Sequence, residues 1–225
     1  MISIAIDGPS GSGKSTISKI LSKKLDFINL DTGALYRALA YYLFKNNIDY
    51  NCEKFDEILK NVDVKVVHKN FVQHTYLNGE DVSDYIRSPQ ISLIASKISS
   101  FPEVREYFLN FQRNFAKCHN VIMDGRDIGT VVLPNADLKI FLTASKEARA
   151  ERRYRQLTKD GDSDVSFQEI LDSISKRDYN DTHRANSPLI PAKDALKFDN
   201  SKLDLWETIN HLLDIIKERV NVESK

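Results

Sequence analysis

Cysteine is scarce: the 225-residue chain carries two, Cys52 and Cys118. Two cannot build a disulfide framework, and neither sits in a CxxC pair or beside a histidine at metal-ligand spacing. The five histidines, His68, His74, His119, His183 and His211, are scattered, so no structural zinc site is expected. No apolar run approaches the ~18 residues that a membrane-spanning helix requires. The opening MISIAIDG has no basic segment and meets Asp7 after a short apolar stretch, so no signal peptide is expected. Net charge is missing too. Lys+Arg 32 against Asp+Glu 32 leaves zero, and no global field draws the chain to nucleic acid or an anionic membrane. Any anion site must then be assembled locally. Together these absences predict a cytoplasmic protein with neither nucleic-acid nor membrane partners. No coiled or strongly apolar surface segment is visible, which favours a monomer.

What remains is a globular composition, with hydrophobic residues at 41% and charged residues at 28%, too apolar for a disordered chain. At ~150 residues per domain, the length allows one substantial core and a small inserted lobe. ISIAI (Ile2 to Ile6), closed by Asp7-Gly8, has the texture of a buried parallel strand. From Lys14 the period changes, and Ile17, Ile20, Leu21 and Leu25 mark an amphipathic helix. A second strand follows over FINLD (Phe27 to Asp31), then a helix carrying Leu35, Leu39, Tyr42 and Leu43. This βαβα opening predicts an α/β fold, a parallel sheet flanked by helices. VDVKVV and FVQHTYL break the pattern. With the turn signal Asn78-Gly79 they predict a small β-rich insertion, about residues 62–86, standing apart from the main sheet. Pro102 suits a first helical position, with Val104, Phe108, Phe111 and Phe115 as the stripe behind it. VIMD (Val121 to Asp124) and LKIFLT (Leu138 to Thr143) read as central strands, and the DGRDIGTVVLP between them as a loop. A helix from near Ser145, a break over TKDGDSDVS, a capping box of Ser166 with Glu169, a last strand ALKFD and a closing helix complete the chain.

Gly8-Pro9-Ser10-Gly11-Ser12-Gly13-Lys14-Ser15, followed by Thr16, satisfies G-x-x-x-x-G-K-[ST] between a strand and a helix. The chemistry requires this arrangement. Glycines let backbone N–H groups turn around phosphate oxygens, and the helix N-terminus adds its positive end. Lys14 can reach the β- and γ-phosphates of ATP, and the Ser15 hydroxyl can ligate Mg²⁺. A lysine of this kind is expected to be exposed to solvent when no nucleotide is bound. Neither the guanine-reading N-K-x-D nor a D-x-x-G loop occurs, which removes the GTPase switches. Motor ATPases and helicases want a basic nucleic-acid surface, which the charge balance disfavours. The small P-loop kinase remains.

The arginines agree. Arg37 follows Asp31-Thr32-Gly33, Arg105 lies on the Phe-striped helix, and Arg126 falls just after a strand, where ligands bind in parallel sheets. Arg149, Arg152 and Arg153 share a helix face before the break, as a lid of cations would, although Glu147 and Glu151 offer a plain salt-bridged alternative. Arg177, Asp181 and Arg184 recur at i, i+4 and i+7. A ligand-holding face and a salt-bridged helix end both fit that spacing.

IDGPSGSGKST, LDTGALYR, ASKISSFPEVRE, DGRDIGTVVLPNADLKIFL, RAERRYRQL and KRDYNDTHRANSPL together resemble the bacterial cytidylate kinases of the nucleoside monophosphate kinase group, over almost the whole chain. Thr32 stands where some members have serine, which keeps the hydroxyl. The resemblance implies a single P-loop kinase domain over residues 1–225 that moves the γ-phosphoryl of ATP to CMP or dCMP. It makes the β-rich insertion a monophosphate-binding lobe and residues 149–165 a lid. It places Thr32, Tyr36, Arg37, Ser96, Arg105, Arg126 and Asp127 at the monophosphate, and Arg177, Asp181 and Arg184 at its sugar and base. Lys14, Arg126 and Arg153 would be catalytic, and Arg149 would join the P-loop at the ATP. Rival readings are a kinase for another acceptor, such as adenylate or uridylate, and a nucleotide-binding regulatory module with no acceptor.

Overall fold

The computed structural model describes residues 1–50, 54–159 and 166–220. Cys52 and residues 160–165, the far end of the expected lid, lie outside the described residues. β1 (Ser3–Asp7), β2 (Ile28–Asp31), β6 (Val121–Gly125), β7 (Leu138–Thr143) and β8 (Leu196–Asp199) form one parallel sheet in the order β2-β6-β1-β7-β8. Ile4, Ala5 and Ile6 are buried completely, as a central strand covered on both faces demands. On one face α1 (Lys14–Leu25) and α8 (Leu205–Arg219) pack Ile17, Leu21, Ile209, Leu212 and Ile216 against Ile4, Ile6 and Ile140. On the other, Ala5, Leu30 and Met123 meet Ala116 of α5 (Pro102–Cys118). In α5, Val104 and Phe108 are buried as expected, but the stripe continues through Gln112 and Ala116. Phe111 and Phe115 keep to the helical period from Val104 but are only partly covered, because the buried line runs in steps of four residues and so turns around the helix toward Gln112 and Ala116.

α2 (Thr32–Lys45), α3 (Phe55–Leu59) and α4 (Pro89–Ile98) build a second apolar cluster with α5. The inserted lobe joins it as a separate antiparallel sheet of β3 (Val64–Lys69), β4 (Val72–Leu77) and β5 (Glu80–Asp81). Its hairpin turns at Asn70-Phe71, both with positive φ (51° and 63°), while Asn78-Gly79 turns the chain into the short β5. The lobe does not stand wholly apart, since Val64, Leu77 and Val82 are buried in the cluster of α2 and α4. The DGRDIGTVVLP segment is not all loop: Ile128–Val132 winds into one wide helical turn. α6 (Lys146–Lys159) precedes α7 (Phe167–His183), which opens with the expected Ser166–Glu169 capping box. Every parallel strand points its carboxyl end at one side, and there the cleft opens.

Candidate active site

Gly8 leaves β1 at φ 152°, and a Cβ on it would lie 1.9 Å from the carbonyl oxygen of Leu142. Only glycine lets the loop pass β7 so closely. The loop then folds back on its own lysine. Lys14 is 5% exposed, with Nζ donating to Pro9 O at 2.6 Å and Ser12 Oγ at 3.3 Å. The expected solvent exposure is therefore wrong, because the loop's carbonyls cover the ammonium. Burial, helped by the Arg126 charge, holds its pKa well below the usual lysine range.

Ser15 Oγ donates to Asp124 Oδ2 at 2.6 Å, and Asn29 Nδ2 donates to Asp124 Oδ1 at 3.1 Å. Asp124 is the next-to-last residue of β6, beside β1, and burial, with the Asp31 charge adding, pushes its pKa up to about 6. A hydroxyl beside a charge-stressed buried carboxylate suits a magnesium ion, which uses one or two protein oxygens and completes its shell with water and phosphate. No cluster of three or more His, Cys, Asp or Glu exists among the described residues, so an all-protein metal cage is not what these residues build. Asp7, one residue before the P-loop, grips the neighbouring segment: its carboxylate accepts from Ile128 N–H at 2.8 Å and Gly129 N–H at 2.7 Å. That grip fixes the turn carrying Arg126 and Asp127. Burial raises the Asp7 pKa to about 6.

The cleft, about 920 Å³, runs from the P-loop to the ends of α2, α4 and α7. It brings together every expected site residue except Gly8 and Pro9, which are not part of its lining. Arg37 pairs with Asp31 at 2.7 Å, Arg126 with Asp181 at 2.8 Å, and Arg105 with Asp127. Thr32, in the first turn of α2, donates to Asp124 O at 2.9 Å, and the Arg105 guanidinium lies 5.8 Å from the Tyr36 ring centre. Burial pushes the Asp181 pKa up, but the charge and hydrogen bond of Arg126 outweigh it and hold the carboxylate below its usual range. The Arg177 guanidinium is brought down to about 10 by burial and then by Arg126. Mutual crowding of cations is thus built in. Arg37 Nε, Arg177 Nε and Arg184 Nη2 are buried donors with no hydrogen-bond partner among the described residues. Buried donors rarely go without a partner, and three around one cleft make an anion-binding wall.

The basic face of α6 is anchored rather than free. Arg149, 3% exposed, donates to Ser10 O at 2.9 Å and pairs with Asp178, not with Glu147 or Glu151. It sits against the P-loop, where a Cβ on Gly11 would come within 3.2 Å of Arg149 Cβ. Arg152 donates to Asn200 Oδ1 at 3.1 Å and Asn200 O at 2.7 Å, and Asn200 Nδ2 donates to Ser12 O at 3.1 Å. Arg153 lines the cleft and, among the described residues, bonds to Gln156 of its own helix at 3.0 Å. Sequence reasoning missed Asp7, Asp31, Asp124, Asp178 and the Asn200–Leu205 turn beside the P-loop. A carboxylate closing each of three strands was a visible signal; the partnership of Asp178 with Arg149 was not.

Residues 4–218 match the family model described as Cytidylate kinase. The chain is 47% identical over 223 residues to a cytidylate kinase of Caldicellulosiruptor bescii, covering 99% of this chain and 98% of that one. To a cytidylate kinase of Ligilactobacillus salivarius it is 43% identical over 219 residues, with 97% of each chain covered. An uncharacterized protein from Eubacterium ventriosum, solved by crystallography, shares the fold at a TM-score of 0.53 and 14% identity, covering 97% of this chain and 100% of that chain. Among the described residues no helix is long and apolar enough to cross a membrane.

Proposed function

The chain belongs to the cytidylate kinase family, and on that premise we propose how its residues divide the work. The reaction moves the γ-phosphoryl of ATP to CMP or dCMP, giving ADP and the diphosphate. In our reading the P-loop amides from Ser10 to Thr16 and the N-terminus of α1 hold the β-phosphate of ATP, and Lys14 spans the β- and γ-phosphates. Ser15, with Asp124 behind it, would hold Mg²⁺, which when bound neutralises phosphate charge. The Asn200–Leu205 turn, lining the same end of the cleft, takes the remainder of ATP.

Opposite the P-loop, Arg37, Arg126 and Arg177 receive the phosphate of the monophosphate. Asp181, Asp127, Arg184, Arg105 and Ser96 surround its sugar and base, with Thr32 and Tyr36 closing the near wall. The observation that carries this division is the set of buried guanidinium donors, Arg37 Nε, Arg177 Nε and Arg184 Nη2, without partners among the described residues. An ATP sensor has no use for a second such wall. No general base is required, since the attacking atom is already a phosphate oxygen. Catalysis is positioning and charge neutralisation, because two polyanions must meet. Arg126 stands between the two sites, and Arg153, bonded to Gln156 of its own helix rather than to the body of the fold, closes over the transferring group. The lid reading, residues 149–165, therefore rests on Arg153 more than on the anchored Arg149 or Arg152.

Coupled measurement of ADP formation with CMP, dCMP, UMP and AMP tests the reading. Turnover should be fastest with CMP or dCMP, and Lys14→Ala should lower it at least ~10²-fold, the scale of removing one preorganised electrostatic contact. AMP as the best acceptor would reassign the substrate. ATP binding with no transfer to any monophosphate would leave a regulatory module.

A further inference from the structure

Among the described residues β2 is an edge strand, with β6 on one side and no strand on the other. Along a strand, alternate residues turn their peptide groups to opposite sides. Ile28 turns toward β6, its N–H donating to Asn120 O at 2.9 Å, so Asn29 and Asp31 turn theirs outward. Bare edges of this kind are normally blunted or covered. Here the inserted lobe covers the edge with side chains. His68 of β3 and Gln73 of β4 stand directly opposite each other in the lobe's register. Gln73 Oε1 accepts from Asp31 N–H at 2.8 Å, and its Nε2 donates to Asp31 O at 3.3 Å. His68 Nε2 donates to Asn29 O at 2.7 Å. The Gln73 amide thus makes the two bonds that the peptide of an adjoining strand would make.

The grip falls on the β2 residue whose side chain holds a cleft arginine. Asp31 Oδ1 accepts from Ala34 N–H at 3.2 Å and caps α2, while Oδ2 accepts from Arg37 Nη2 at 2.7 Å. Arg37 Nε has no partner among the described residues. Lobe, strand edge, helix cap and guanidinium form one continuous chain of hydrogen bonds. We infer that Gln73 is a positioning residue: by fixing Asp31 from outside the cleft, it orients Arg37 toward the phosphate of the acceptor. The inference rests on the assignment of Arg37 to the acceptor side.

Gln73→Ala removes both bonds to Asp31 and substitutes no residue that lines the cleft. The KM for CMP should rise about three- to tenfold, the worth of about one neutral hydrogen bond. The KM for ATP, and kcat at saturating CMP, should change by less than about twofold on the same scale. In an Arg37→Ala background the Gln73 change should add nothing to the KM for CMP, because the group it acts through is gone. Gln73→Glu keeps the side-chain shape but turns an acceptor toward Asp31 O; it should show the same CMP-specific rise and stands in if the alanine variant folds poorly. Equal rises in both KM values, an unchanged KM for CMP in a folded variant, or additive effects with Arg37→Ala would each overturn the inference. A wild-type KM for CMP in Arg37→Ala alone would overturn the acceptor-side assignment and the inference with it.

Discussion

Asp181 shows how much a single side chain's meaning depends on its partner. The helical spacing offers Arg177 or Arg184, yet the bond is to Arg126, across 55 residues of chain, at 2.8 Å. The carboxylate is 6% exposed, so it is the counter-charge that lets Arg126, Arg177 and Arg184 share one wall. Asp181→Ala should raise the KM for CMP roughly ten- to hundredfold, the cost of losing a hydrogen bond to a charged group, and leave the KM for ATP nearly unchanged. The melting temperature should fall as well, because buried cations lose their partner. Steady-state kinetics with each nucleotide varied in turn, beside a thermal melt, separate the two effects. An unchanged KM for CMP would remove Asp181 from the acceptor site. Lys14 makes the complementary point: its ammonium is already stripped of water and crowded by Arg126, poised for phosphate rather than for stability.

At the scale of elements, α7 carries Arg177 and Asp181 in its last two turns, and its first turn is held by the exposed Ser166–Glu169 capping box. Between them Ile170 and Ile174 are buried, and Asp178 is tied to Arg149. Ser166→Ala should therefore fray the first turn without reaching the site. We expect a loss of about 1 kcal/mol, a fall of about 2–4 °C in melting temperature for a chain of this size, and unaltered KM and kcat. Calorimetry with parallel kinetics checks it, and a shifted KM for CMP would mean that the helix moves as a rigid rod. The capping box, the P-loop between β1 and α1, and the strand texture of β1, β6 and β7 were legible because each is set by residues within a few positions of one another.

The whole molecule has no net charge, yet burial forces two carboxylates, Asp7 and Asp124, up to about 6. A carboxylate raised on folding binds its proton more tightly in the folded chain. Its contribution to stability is complete below the unfolded value near 3.8 and is lost as pH rises through about 6. The wild type should therefore gain stability relative to Asp7→Asn as pH falls from about 6 to about 4. The gain is at most about 3 kcal/mol, two units at ~1.4 kcal/mol each. Chemical denaturation of both proteins across that window measures it. Equal pH profiles would show that Asp7 keeps an ordinary affinity for protons.

The sequence by itself determined the α/β architecture, the phosphate loop and the inserted β-rich lobe, since periodicity and motif spacing are local properties; for the arginines of α6 and α7 spacing left a salt-bridged face as the alternative. Only the tertiary structure decided who pairs with whom. Asp178 holds Arg149, Asp181 holds Arg126, Asp7 grips the turn at Ile128, and Gln73 closes the edge of β2. These contacts join residues 29 to 121 positions apart. Parallel strands return to the same end of the sheet only after a helical crossover, so the groups that meet above their carboxyl ends are distant in sequence. Local pattern names the groups that can bear charge; the tertiary packing of sheet, helices and lobe brings them within reach of one another.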